Sequence, residues 1–103
     1  NASPSLAVMK KFNKDGLGLL SFAKPGITFA IDFPATANNK ACIKELNQSL
    51  LKYSGRVYLA KDILLNPDQY RNMYPKHNNF IEVLEKYEIS KIFQSKLSQR
   101  LFK

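Results

Sequence analysis

The stretch KPGITFAIDFP, residues 24–34, decides the fold of this 103-residue chain. Apolar and small polar residues alternate through its second half, which is the two-residue period of a β-strand. Pro25 followed by Gly26 predicts a type II turn, because proline fixes the first φ angle and glycine accepts a positive second one. We therefore expect a β-hairpin in which LGLLSFA, residues 17–23, is the first arm and TFAIDFP, residues 28–34, is the second.

The two faces of the second arm differ in character. The apolar face is expected to belong to the core, and it holds Ile27, Phe29, Ile31 and Phe33. The opposite face is small and polar, and it holds Thr28, Ala30 and Asp32. A solvated strand face more often has larger polar residues, so this face leaves room for something to lie against it. A plain solvent face explains the same residues equally well.

Elements before and after the hairpin follow from capping and periodicity. Ser3 and Pro4 resemble a helix start, which predicts a short helix over Pro4–Phe12. The longest predicted element is a helix from Asn39 to Tyr53, which Gly55 ends. Its apolar stripe is Ile43, Leu46, Leu50 and Tyr53.

The remaining residues predict a third strand followed by helices. RVYLA, residues 56–60, is rich in β-forming residues. Three short helices are predicted in PDQYRNMY with Asn66 as the cap, in NNFIEVLEKY and in SKLSQRLF. The order favours an α+β fold, in which a small antiparallel sheet of the hairpin and one further strand is covered by helices, with a helical C-terminal third.

Composition narrows the classes of function. A 45% hydrophobic content suits one globular domain, and no apolar run approaches the roughly 18 residues that span a bilayer. A soluble, cytoplasmic protein is expected, with peripheral membrane association as an alternative. The net charge of +8 would suit a polyanion, but the lysines are dispersed and no nucleic-acid motif accompanies them, so nucleic-acid binding is not predicted.

Few residues offer cofactor or metal chemistry on their own. The single cysteine, Cys42, is expected in the core, and the single histidine, His77, at the surface or at a helix cap. No second histidine or cysteine is spaced to share a metal, so no metal site is proposed. Gly16 and Gly18 are not followed by glycine at position 21, so neither a dinucleotide fingerprint nor a phosphate-binding loop is present.

Lys61 is the residue that could do chemistry. It follows RVYLA directly, and a cation at the end of a rigid element can stabilise developing negative charge. Alternatively it pairs with Asp62 or with solvent and has no role. Strict alternation would put it on the face of Val57 and Leu59, opposite Tyr58, unless the strand ends at Ala60.

Four blocks along the chain resemble a known family. These are PGITFAIDFP (25–34), GRVYLAKD (55–62), YRNMYP (70–75) and IFQSKLSQRL (92–101). In this order they are similar to the C-terminal part of FAD-linked oxidases of the vanillyl-alcohol-oxidase type, and most similar to the decaprenylphosphoryl-β-D-ribose 2'-oxidase group.

The resemblance implies a domain organisation and a cofactor. Residues 1–103 would form a single domain, the C-terminal substrate-domain segment of a longer FAD-dependent oxidoreductase that oxidises a sugar hydroxyl. An N-terminal FAD-binding domain of the same polypeptide would be its partner, and a sugar or polyprenyl-phosphate sugar its substrate. The fragment alone would be inactive and would not bind FAD.

The resemblance also implies site residues. Lys61 matches the family's catalytic lysine and Tyr58 its flavin-contacting tyrosine. The substrate-facing positions of the family match Lys10, Thr28, Ala30 and Asp32. Two alternatives stay open: the C-terminal region of a sugar-1,4-lactone oxidase, and a separate basic α+β module that binds an anionic partner.

Overall fold

The computed structural model describes residues 3–102. The described chain folds into two strands, one long helix, a short 3-10 turn and three further helices. The elements are β1 Leu6–Phe12, β2 Gly26–Asp32, α1 Ala37–Lys52, the 3-10 turn Leu59–Lys61, α2 Pro67–Met73, α3 His77–Tyr87 and α4 Lys96–Leu101. The α+β class, the small antiparallel sheet and the helical C-terminal part are confirmed.

The second arm of the predicted hairpin forms β2, but its partner is not the one predicted. β2 pairs antiparallel with β1, with Leu6 opposite Asp32 and Phe12 opposite Gly26. The predicted helix over Pro4–Phe12 is therefore wrong. The edge of β2 is available to pair with LAVMKKF, residues 6–12. This tertiary pairing overrides the local helix-start signal of Ser3 and Pro4. Ser5 extends the ladder, because its backbone N–H donates to the carbonyl of Asp32 at 2.8 Å.

The predicted first arm, residues 17–23, forms no strand and belongs to the loop between β1 and β2. Gly16 N–H donates to the carbonyl of Ala23 at 3.0 Å and closes this loop on itself. A Cβ at Gly16 would meet the Ser21 hydroxyl at 1.8 Å, so the closed loop requires glycine there. Gly26 has a φ of 147°, a conformation that glycine adopts readily, but it begins β2 instead of turning a hairpin.

The predicted third strand at RVYLA is also wrong. Val57 N–H donates to Met73 Sδ at 3.3 Å, and the Val57 carbonyl accepts from the Tyr74 hydroxyl at 2.6 Å. Both backbone groups of Val57 are thus satisfied by side chains at the end of α2 and are not available for a sheet ladder. Two residues later the chain enters the 3-10 turn, where Lys61 N–H donates to the carbonyl of Tyr58 at 2.9 Å.

The core lies in the helical half and centres on α2. Its buried apolar residues are Leu65, Tyr70, Met73, Tyr74 and Leu101. Tyr70 is fully buried and stacks on Phe102, with ring centroids 5.6 Å apart. The predicted helices here are confirmed, including the Asn66 cap, whose side chain accepts from Gln69 N–H at 2.8 Å.

His77 belongs to this core and not to the surface. It is 7% exposed, and its Nδ1 is hydrogen bonded to the Tyr70 hydroxyl at 2.9 Å. The residue that caps α3 is Lys76 instead. The ring of Tyr70 meets the imidazole edge-on at 4.9 Å, so the aromatic cluster buries the histidine that the sequence had suggested for a surface or cap position.

The helix α1 is confirmed, but only half of its predicted stripe is covered: Ile43 and Leu50 are partly buried, and Leu50 packs against the core. Leu46 is 45% exposed and Tyr53 is 82% exposed, whereas Asn39 and Asn47 are buried. Both asparagine side chains donate to backbone carbonyls, Asn39 to Pro34 at 2.9 Å and Asn47 to Leu64 at 3.4 Å. These two side chains connect α1 to the chain segments before and after it. A pattern of apolar residues cannot predict such polar contacts.

The apolar face predicted as core is only partly covered in the described residues, since Ile31 and Phe33 are partly buried but Ile27 and Phe29 are not. Ile27 is 62% exposed and Phe29 is 63% exposed, and α1 does not pack on this side of the sheet. The radius of gyration, 15.0 Å, exceeds the roughly 13 Å of a compact domain of this length. The rest of the chain therefore covers the sheet only in part.

The buried histidine makes the free energy of unfolding depend on pH. Burial and the nearby Arg71 guanidinium lower the pKa of His77 from its usual 6.5. Below about pH 6.5 the unfolded chain therefore binds a proton at His77 that the folded chain does not bind. The contribution of His77 to the free energy of unfolding is fully present above about pH 6.5 and is lost as the pH falls below it.

We expect urea denaturation of the wild type to show a falling free energy of unfolding between about pH 7 and 5. Because His77 is the only histidine, His77→Gln should give a flatter profile over the same range. Equal slopes for the two proteins would contradict this assignment.

Candidate functional site

The register of the sheet brings four predicted site residues onto one face. Residues directly opposite each other in an antiparallel pair share a face, and Lys10 lies opposite Thr28 while Val8 lies opposite Ala30. We call this side the Asp32 face. It consists of Leu6, Val8, Lys10 and Phe12 on β1 and of Gly26, Thr28, Ala30 and Asp32 on β2.

Lys61 meets the Asp32 face at one end. Its ammonium lies 2.7 Å from Oδ1 of Asp32, although 29 residues separate the two in sequence. Both side chains remain about half exposed, at 55% and 53%. Lys10 lies beside Thr28, four residues along β2 from Asp32, or roughly 14 Å at the rise of an antiparallel strand. The face therefore has a cation near each end.

The alternative in which Lys61 pairs with its neighbour Asp62 is wrong. The Asp62 carboxylate is ion-paired with the Arg100 guanidinium of α4. Arg100 also donates to the carbonyl of Asp62 at 3.0 Å and to that of Leu65. With Asp62 turned toward α4, Lys61 is directed to the sheet.

The 3-10 turn settles the orientation that the sequence left open. Strict alternation would have placed Lys61 on the face of Val57 and Leu59, but no strand is present in this part of the described chain. The chain leaves the extended conformation after Tyr58, and Leu59–Lys61 form one turn. Lys61 thereby reaches Asp32 without crossing a sheet.

Tyr58 lies next to this turn in an aromatic row. Its ring centroid is 5.3 Å from that of Phe22, and Phe22 packs edge-on against Phe12 at 6.1 Å. This row links the end of β1 to the helical half. Tyr58 is still 53% exposed, so part of its ring is open to another molecule.

Two residues that position this region were missed by the sequence interpretation. Tyr74 bonds the Val57 carbonyl, and burial raises the pKa of its hydroxyl to about 12, so it stays protonated and can donate. Arg100 holds the turn after Lys61. Their partners lie 17 and 35 to 38 residues away in sequence, and no local pattern signals such contacts.

Two clefts of the described chain lie away from Lys61. One of about 400 Å³ and one of about 100 Å³ both border Arg56, not Lys61. Arg56 donates to the Ser21 carbonyl at 2.7 Å and lies over the Tyr74 ring, so it ties the loop to the helical half. Cys42 is partly buried on α1. Among residues 3–102, no three acidic, histidine or cysteine side chains are grouped to hold a metal ion.

The groups around Lys61 can bind the polar part of a ligand. An ammonium held by one carboxylate keeps further N–H donors for an oxyanion or a carbonyl. The exposed part of Tyr58 offers an aromatic surface near it, and the small side chains of Thr28 and Ala30 leave space along the strand. These residues suit the polar end of a ligand, with a second cation, Lys10, farther along.

Comparison with known proteins supports the resemblance. Over 96 residues, 93% of this chain, the sequence is 31% identical to decaprenylphosphoryl-β-D-ribose oxidase of Mycolicibacterium smegmatis, of which it covers 21%. Over 95 residues it is 33% identical to an uncharacterized protein in the mprA 5' region of Streptomyces coelicolor, of which it covers 26%. No family model matches the chain.

The similarity thus runs through nearly all of this chain but only a minor part of each relative. The first relative is an oxidase by name, so the chain is similar to a segment of an oxidoreductase. In the part of the chain that the structure describes, no helix is long and apolar enough to cross a membrane.

The bond between Tyr74 and Val57 is open to a direct test. Tyr74→Phe removes the hydroxyl and leaves a partly buried carbonyl without its donor, which should lower the free energy of unfolding by about 1 kcal/mol. Tyr87→Phe removes a hydroxyl from a tyrosine that is 78% exposed and should change little. Urea denaturation measures both. A Tyr74→Phe protein as stable as the Tyr87→Phe control would show that the bond does not stabilise this segment.

Proposed function

We propose that this chain is the C-terminal segment of an FAD-dependent oxidoreductase that oxidises a hydroxyl group of a sugar. In this proposal the chain supplies Lys61 and Tyr58 toward the flavin and the Asp32 face toward the substrate. The similarity to decaprenylphosphoryl-β-D-ribose oxidase supports the reaction class and suggests a polyprenyl-phosphate sugar as substrate.

The observation that carries the proposal is the contact between Lys61 and Asp32. The two residues belong to separate sequence blocks that both resemble the oxidase family, and the fold joins them through a 2.7 Å ion pair. The contact brings together two predicted site residues that lie 29 positions apart in sequence. The meeting point is open to solvent on one side, where a ligand can approach.

The residues present fit one edge of a flavin ring. Lys61 offers N–H donors for ring oxygens or nitrogens, and Tyr58 offers a partly exposed aromatic surface. Within residues 3–102 no glycine-rich phosphate-binding loop is available for the rest of the dinucleotide, and the two clefts at Arg56 do not include Lys61. The proposal therefore assigns the pyrophosphate and adenine to an N-terminal domain of the same polypeptide.

When bound, FAD would supply the two-electron acceptor for the sugar carbon. The ammonium of Lys61 would stabilise negative charge as it develops beside it, and a preorganised cation costs no reorganisation at that moment. Asp32 would hold the ammonium in place. Lys10, roughly 14 Å away along the strand, is placed to bind an anionic group at the far end of the substrate.

Lys61→Ala in the intact flavoprotein tests this function. Removing a preorganised charge donor should slow flavin reduction by substrate about a hundred- to thousand-fold in a stopped-flow measurement. The thermal midpoint should move by less than about 4 °C, because a half-exposed ion pair contributes at most about 1 kcal/mol. Lys61→Arg should not restore the rate, since a planar guanidinium cannot replace a compact ammonium.

Lys44→Ala, which removes the same charge from the exposed surface of α1, is the matched control and should react as the wild type does. Flavin reduction in Lys61→Ala within about threefold of wild type would refute the catalytic role. If the intact polypeptide retains no flavin at all, the alternative of a basic module that binds an anionic partner is favoured instead.

A further inference from the structure

We propose that Arg100 is a positioning residue for Lys61. From α4, its guanidinium binds both ends of the turn that begins directly after the lysine, and it occupies the one carboxylate that is adjacent to the lysine in sequence. The inference deepens the proposed function and rests on it, because it concerns how Lys61 is kept available to a ligand.

Three hydrogen bonds join Arg100 to this turn. One terminal nitrogen donates to both the carbonyl and the carboxylate of Asp62, and the other donates to the carbonyl of Leu65. The turn itself closes through the Leu65 N–H, which donates to the Asp62 carbonyl at 2.8 Å. A planar guanidinium donates from two separate nitrogens, so it reaches the two carbonyls and the carboxylate together more readily than a single ammonium nitrogen does.

The contacts of Arg100 are more buried than the Lys61–Asp32 ion pair, and they are therefore the stronger of the two. The Asp62 side chain is only 16% exposed, whereas those of Lys61 and Asp32 are more than half exposed. Charge-assisted hydrogen bonds are stronger where water competes less. Leu101, the next residue after Arg100, is fully buried in the core, so the guanidinium extends from an anchored helix.

The electrostatic consequence concerns the choice between two carboxylates. Asp62 and Asp32 are both potential partners of the Lys61 ammonium, and opposite charges a few ångströms apart attract even near a protein surface. Arg100 removes Asp62 from this competition, and Lys61 pairs with Asp32 at the sheet. Without the guanidinium, the freed Asp62 would draw the ammonium away from the Asp32 face.

The test combines an exchange measurement with a double-mutant cycle in the intact flavoprotein. Arg100→Ala should accelerate amide hydrogen exchange in peptides that cover residues 59–66, while Lys96→Ala, which removes an exposed charge from the same helix, should not. Arg100→Ala should also slow flavin reduction by about tenfold or more at saturating substrate. In a Lys61→Ala background the same substitution should cost nothing further, because its effect passes through the lysine.

Each outcome bears on one claim. Unchanged exchange in residues 59–66 of Arg100→Ala, or an equal loss of rate with and without Lys61, would overturn the positioning role. A slow Lys61→Ala enzyme combined with a fast Arg100→Ala enzyme would overturn it as well, and would leave the proposed function standing. A Lys61→Ala enzyme with the wild-type rate would refute the proposed function itself. Arg100→Lys should recover only part of the rate, since one ammonium cannot bridge Asp62 and Leu65.

Discussion

The contact on which the candidate site depends is the pair of bonds that α2 makes with the backbone of Val57. Its carbonyl accepts from the buried Tyr74 hydroxyl at 2.6 Å, and its N–H donates to Met73 Sδ. A segment with high strand propensity is thereby fastened to a helix and not to the sheet. Because the extended conformation stops there, the chain can turn at Leu59–Lys61 and direct Lys61 to Asp32.

Capping residues and apolar periodicity in the sequence were sufficient to predict the helices. Asn66 caps α2 as predicted, and the four helices after residue 36 all lie where caps and periodicity place them. α1 also ends in the expected region. Ser54 takes the positive φ of 51°, and Gly55 packs closely against Leu50, whose Cδ2 a Cβ at this position would meet at 2.8 Å.

Contacts between residues far apart in sequence account for the elements that the sequence predicted wrongly. The partner of β2 lies across a loop of thirteen residues, and Pro4 gave a helix signal for a segment that pairs as a strand. RVYLA has the composition of a strand, yet side chains 16 and 17 residues away take its hydrogen bonds. Alternation predicted the β2 side of the Asp32 face, namely Thr28, Ala30 and Asp32. Its β1 side, the Lys61–Asp32 contact and the contacts of Arg100 with Asp62 follow only from the folded chain.

The central claim is that Lys61 places a positive charge against the flavin of an intact oxidoreductase. The midpoint potential of the bound flavin, measured for the wild type and for Lys61→Ala, tests this claim most directly. An ammonium near the ring favours the more negative reduced form, so its loss should shift the potential to more negative values by tens of millivolts, with about 30 mV equal to 1.4 kcal/mol for a two-electron couple. An unchanged potential in a variant that still binds flavin would contradict the account.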